Sequence, residues 1–254
     1  MAAYEKVQAA RGKGRATGLN YIENIFTDFI EFHGDRRFAD DSAIIGGIAR
    51  LDGTPVTVIA MEKGRDTKDR IKRNFGSPYP EGYRKALRLM KQAEKFHRPV
   101  VCFVDTAGAF CGISAEERGQ GQAIAENLME MMALKTPTIS VLIGEGGSGG
   151  ALALAVSERV WIMENAVYSV VSPEGCASIL WKDSKKAAQA ADCLKLTAED
   201  MKSFGVVERI IPESKDFKEV FKSVQEALVQ ELSQLEKLDS DELLLERYNR
   251  FRAF

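Results

Sequence analysis

This sequence predicts an α/β fold with a layered sheet, and three observations predict it. Short β-rich runs, at 100–104, 139–143 and 159–163, alternate with stretches whose apolar residues recur every three or four positions. Glycines gather directly after two of those runs, at Gly108 and Gly112 and again from Gly144 to Gly150. Upstream, the runs 44–51 and 54–61 are joined by Asp52-Gly53, a two-residue hairpin signal.

Composition bounds the rest. The chain has 254 residues, is 45% hydrophobic and carries a formal charge of −2, enough apolar content for one large core and no global attraction for nucleic acid or an anionic membrane. The expected organisation is a single domain: an N-terminal helical segment over 1–33, a core over 40–212 and C-terminal helices over 216–254. No apolar run approaches the roughly 18 residues of a membrane span, which excludes an integral membrane protein. Cys102, Cys111, Cys176 and Cys193 form no C-x-x-C pair and follow no signal peptide, so they read as reduced thiols of a cytoplasmic protein.

In chain order, Leu19, Ile22, Ile25, Phe26, Phe29 and Ile30 have helical spacing, behind a small basic patch of Arg11, Lys13 and Arg15 that reads as solvated. The hairpin begins the sheet. After it Lys63, Arg65, Arg70 and Arg73 belong to the densest positive stretch of the chain, which reads either as a solvated face or as a groove for phosphates or an acidic partner. Ala86, Leu89, Met90 and Ala93 mark the buried side of a helix that ends before His97-Arg98-Pro99. The strand 100–104 leads into the loop 105–112, and a helix is expected from Ser114 to Leu134. After the strand 159–163 and a short one at 167–171, Ser172-Pro173-Glu174 caps a helix, Thr197-x-x-Asp200 starts another, and Gly205 closes it before strand 206–211. Phe217, Val220, Phe221, Val224, Leu228 and Leu232 form a C-terminal helical stripe, and no internal repeat is visible.

The stretch 138–156 organises the chain: a buried strand, a glycine loop and a short apolar helix over 151–156. Residues without a Cβ let a ligand approach the backbone, and a helix start offers unpaired N–H groups. Three readings compete. Gly144-x-Gly146-x-x-Gly149, with Glu164 about 20 residues on, satisfies a dinucleotide fingerprint, although a whole strand and helix precede it. Gly146-x-Ser148-x-Gly150 satisfies a hydrolase nucleophile elbow, although His33 and His97 both precede the serine that they would have to follow. The third reading is an oxyanion hole of backbone N–H groups alone.

Long segments then carry a resemblance: 46–53, Lys63-Gly-Arg65, Asn74-Phe-Gly76, 80–90, Glu116-Glu-Arg-Gly-Gln120, 144–153 and 172–182. Over about residues 20 to 212 the chain resembles the carboxyltransferase alpha subunit of bacterial acetyl-CoA carboxylase. The resemblance implies a crotonase-like spiral of ββα units and carboxyl transfer from carboxybiotin to acetyl-CoA, giving malonyl-CoA in the first committed step of fatty acid biosynthesis. It also implies an α2β2 assembly with a zinc-bearing beta subunit, and work alongside biotin carboxyl carrier protein and biotin carboxylase. One loop departs: where the family usually has Asp-Thr-Pro-Gly-Ala-Tyr-Pro-Gly, this chain has Ala107, Phe110 and Cys111, losing two prolines and a hydroxyl but keeping the glycines.

The chemistry agrees with that assignment. Deprotonating an acetyl thioester and releasing a carboxyl group from biotin both create an oxyanion. The expected donors are the N–H groups of Gly112 and Gly149, supported by Gly108, Gly147 and Gly150. Released biotin can act as the base, no metal is expected in this subunit, and Lys63, Arg65, Arg70 and Arg73 are the candidates for substrate or partner contact.

Overall fold

In the computed structural model, which describes residues 1–254, the chain enters through α1 (Ala3–Ala10) and α2 (Gly18–Ile25). Helical spacing continues to Ile30, but the helix ends at Ile25 and Thr27–Glu31 is a strand, β1. The reason lies in β2 (Ile44–Leu51), whose outer edge β1 pairs, and in Gly47, where any Cβ would overlap the Ile30 carbonyl. Ile30 itself stays 61% exposed, so its apolar character reports no helix face.

β2 and β3 (Thr54–Met61) form the expected hairpin, with Asp52 (φ 48°) and Gly53 (φ 81°) both in the left-handed region that this turn requires. The basic stretch after it is not all loop, because Asp66 accepts the Asp69 N–H and caps α3 (Thr67–Lys72). In α4 (Pro80–Lys95), Ala86, Leu89, Met90 and Ala93 are fully buried, as their spacing predicts. There follow β4 (Val100–Thr106), α5 (Ile113–Glu117), α6 (Gln120–Met132), β5 (Thr138–Gly147), α7 (Ser148–Leu152), β6 (Arg159–Met163) and β7 (Val167–Ser169). The chain ends with α8 (Pro173–Trp181), α9 (Ala187–Leu194), α10 (Ala198–Ser203), β8 (Arg209–Ile211), α11 (Phe217–Leu235) and α12 (Ser240–Arg252).

Several boundaries correct the sequence reading. The helix expected from Ser114 to Leu134 is broken by Gly119 at φ 82°, and its N-cap is Gly112 rather than Ser114. Gly144–Gly147 is strand rather than loop, because β5 is long enough to pair β6 over Ile139–Leu142 and then β7 over Glu145–Gly147. The apolar helix begins at Ser148 and stops at Leu152, short of Val156. α9 is a helix that the sequence reading does not include, although its buried Ala187, Ala190 and Ala191 have helical spacing; small alanines make that stripe a weak signal. The caps at Ser172 and at Thr197 with Asp200 stand where expected.

The strands run β1-β2-β3-β4-β5-β6-β8, antiparallel through β3 and parallel from there on, with β7 beside the end of β5. A single cluster of 51 buried residues draws on α2, the sheet, α4, α11 and α12. Tyr21 of α2 meets Phe103 of β4 and Phe221 of α11, each with ring centroids 5.1 Å apart. Arg247 of α12 is fully buried, pairs with Glu158 and donates to the Leu134 carbonyl at 2.8 Å, while Glu158 accepts the Thr138 N–H at 2.9 Å. Removing one partner strands a buried charge, so Arg247→Ala is expected to destabilise the chain by about 3–5 kcal/mol. Urea unfolding checks this, and a loss under about 1 kcal/mol would contradict it.

Candidate active site

Parallel pairing of β4 and β5 brings their glycine-bearing carboxyl ends to the same end of the sheet, where ligands of open α/β sheets collect. Gly147 touches the turn after β4 so closely that any Cβ would overlap the Ala107 carbonyl, and a Cβ on Gly150 would overlap the Ala109 nitrogen. The Tyr83 hydroxyl secures the second contact by donating to the Gly150 carbonyl at 3.2 Å. Gly108 (φ 152°) is tied from below, its N–H donating to Thr106 Oγ1 at 3.0 Å while that hydroxyl donates to the Gly108 carbonyl at 2.8 Å. Gly108, Gly147 and Gly150 are thus in one backbone-to-backbone contact.

Gly112 and Gly149 stand on separate turns, at the starts of α5 and α7. The Gly112 N–H makes no hydrogen bond within the chain, and the Gly149 N–H lies in a first helical turn that offers it no acceptor. A Cβ at Gly149 would meet only Ile124 Cγ2, at 3.6 Å, so a ligand can approach there. Beside Gly112 the Phe110 ring stacks on Tyr79 with centroids 4.2 Å apart, and the Phe110 N–H donates to the Pro78 carbonyl at 3.0 Å. That anchoring holds the loop in which the family's two prolines are absent.

The four cations of the basic stretch do not form one cluster. Arg65 is exposed and pairs with Glu23 at 2.5 Å; Arg73 pairs with Asp69 at 2.8 Å and donates to the Ser42 carbonyl. Lys63 points inward, 2.6 Å from Asp105 and 2.8 Å from Glu145. Arg70 has only the Gly64 carbonyl, at 3.3 Å, and shares with Lys63 a cavity of about 190 Å³ that Arg11, Arg15, Asp105 and Glu145 also line.

The N-terminal arginines are not a solvated patch. Arg11 pairs with Glu145 at 2.7 Å and with Glu174 at 2.8 Å, while Arg15 donates to the Ile143 carbonyl at 2.8 Å and pairs with Glu213. Together they latch the first segment over the end of β5. Nothing local in the sequence signals this, because the partners lie more than 120 residues away.

Two readings lose their geometry. Ser148 is exposed with no hydrogen bond to its hydroxyl; His33 sits with Asp40, and His97 in the turn before β4, at the opposite end of that strand from Gly108. A triad has no base there. Gly144 is pressed on the Asp105 carboxylate and Gly146 on Leu142 and Tyr168, which leaves no tight turn for a pyrophosphate, and Glu164 accepts the Glu213 N–H instead of facing a ribose.

The structure superimposes on transcarboxylase 12S with methylmalonyl-coenzyme A bound, at a TM-score of 0.69 and 18% identity over 88% of this chain and 44% of that one. The two chains therefore share a fold. The family model described as acetyl co-enzyme A carboxylase carboxyltransferase-like matches residues 1–254. The acetyl-coenzyme A carboxylase carboxyl transferase subunit alpha of Ruminiclostridium cellulolyticum is 60% identical over 253 residues, 99% of this chain and 97% of that protein. In Clostridium tetani a protein named as the beta/alpha subunits of that transferase is 58% identical over 256 residues, 99% of this chain and 44% of its own length. The chain belongs to the acetyl-CoA carboxylase carboxyltransferase family, as an alpha-subunit member, and its activity is carboxyl transfer. No helix is long and apolar enough to cross a membrane, and no group of three or more His, Cys, Asp or Glu residues is placed to hold a metal ion.

Proposed function

We propose that this chain, joined to a zinc-bearing beta subunit as α2β2 in the cytoplasm, moves the carboxyl group of carboxybiotin on its carrier protein to the methyl carbon of acetyl-CoA, giving malonyl-CoA. The observation that carries the reading is the pair of uncommitted N–H groups, at Gly112 and Gly149, on two turns that leave the same end of the sheet. They donate to an oxyanion, and Gly108, Gly147 and Gly150 keep the turns rigid so that the donors need no reorganisation during reaction. Bound biotin supplies the leaving group and, once released, the base for the methyl proton. That agrees with a glycine segment that offers no histidine, cysteine or aspartate of its own. The biotin oxygen is the oxyanion assigned to this chain, and the beta subunit serves the thioester. Arg70, the least engaged of the four cations, is the one suited to a phosphate or partner carboxylate.

Reconstitution tests the reading. The purified chain alone should give malonyl-CoA formation near background, and adding the beta subunit should raise it at least about 100-fold, the scale of one oxyanion donor. Full activity in a preparation free of any second polypeptide would contradict the proposal, as would a complex that forms and never turns over.

A further inference from the structure

Where the glycines begin, the ladder between β4 and β5 slips: Val104 faces Leu142 but Thr106 faces Gly146, so two steps along one strand take four along the other. Asp105 lies at the slip, 4% exposed, and its Oδ1 accepts the Glu145 N–H at 2.8 Å, standing in for a strand carbonyl. Gly144 admits it, since any Cβ there would overlap the carboxylate. Lys63 Nζ reaches the same oxygen at 2.6 Å and Glu145 Oε2 at 2.8 Å. Gly76 (φ 79°) closes over the lysine stem, where a Cβ would lie 2.6 Å from Lys63 Cγ.

The charges are held in place from both sides. Burial opposes the charge on Lys63, and Asp105 and Glu145 outweigh it, keeping its pKa above the ordinary lysine value. Burial opposes the charge on Glu145 as well, and Lys63 and Arg11 outweigh that, holding it below the ordinary glutamate range.

We propose that Asp105, held by Lys63, is a positioning residue: its carboxylate takes a rung of the β4–β5 ladder, sets the path of Gly144–Gly147 and thereby aims the N–H of Gly149. The role in turnover rests on the oxyanion reading above, whereas the hold on the strand does not. A structural ion pair would be satisfied only by a charge at position 105; a ladder acceptor needs only an oxygen, which asparagine retains.

The test uses the chain assembled with its beta subunit and reads two quantities, amide hydrogen exchange at 144–147 and steady-state kinetics. Asp105→Ala is expected to speed exchange at the Glu145 amide at least about tenfold, a local opening rather than global unfolding. It should lower kcat about 10- to 100-fold with KM for acetyl-CoA within about threefold, the signature of a misplaced group that acts in the transition state. Asp105→Asn should return exchange to within about threefold of the parent and recover most of kcat. Unchanged exchange in the alanine chain, or an asparagine chain as fast to exchange as the alanine one, overturns the proposal. Should the alanine chain fail to assemble, the asparagine chain decides alone: exchange within about threefold supports the ladder role, and a tenfold rise overturns it. Faster exchange in alanine, rescued in asparagine, with kcat unchanged throughout, leaves the hold on the strand standing and overturns the aiming of Gly149, while the oxyanion reading itself falls only if Gly149→Val leaves turnover unchanged.

Discussion

Replacing Gly147 by alanine is expected to slow carboxyl transfer at least about 100-fold, the scale of one lost oxyanion donor. The added Cβ would overlap the Ala107 carbonyl and crowd the Gly108 nitrogen, which are backbone atoms pinned by the Thr106 hydroxyl and unable to swing aside as a side chain could. Either β5 or the turn after β4 must move, and the N–H groups of Gly112 and Gly149, the proposed donors, move with them. Overpacking of this kind destabilises by about 1–3 kcal/mol, so circular dichroism should still report a folded chain. Gly121 is the control. It lies in the first turn of α6 with nothing within 4 Å of an added Cβ, so Gly121→Ala should leave turnover unchanged and raise stability by about 0.4–1 kcal/mol. A Gly147→Ala enzyme within about threefold of the parent would show that this backbone contact does not shape the site.

What the residues disclosed, and what they hid, follows from the range of the forces involved. The hairpin at Asp52-Gly53, the buried stripe of α4 and the caps at Ser172 and Thr197 are local: neighbours in sequence settle the backbone, so they could be read directly. β1 could not, because Thr27–Glu31 becomes strand only when the edge of β2 is there to pair it, and Gly47, which admits it, is far along the chain. The glycine segment reads from sequence as a loop at the centre of the molecule, yet Gly144–Gly147 is strand. Gly144 and Gly146 pack tightly on Asp105, Leu142 and Tyr168, so their missing side chains serve strand packing as much as ligand approach.

The basic stretch shows the same limit. Lys63, Arg65, Arg70 and Arg73 look alike in sequence, yet one is turned inward onto Asp105 and Glu145, two are paired with Glu23 and Asp69, and only Arg70 lacks a carboxylate. Counting charge cannot separate these fates. The partners of Lys63 come from β4 and β5, which only the parallel crossover brings beside the end of β3. The family's motifs span most of the sheet and so point to the function, whereas none of them marks the latch made by Arg11 and Arg15.

The most direct measurement of the central claim, that backbone N–H groups and no side-chain nucleophile perform the chemistry, compares Ser148→Ala with Gly149→Val in the assembled enzyme. Ser148 is exposed, in the left-handed region at φ 52°, and its hydroxyl touches no partner, so removing it deletes nothing that an oxyanion hole uses. Gly149 has room for a Cβ beside Ile124, so valine there should fold and crowd the bound substrate rather than the protein. Turnover is expected within about tenfold of the parent for Ser148→Ala and at least about 100-fold below it for Gly149→Val, with the complex intact by size-exclusion chromatography. An essential serine beside a replaceable glycine would contradict the account.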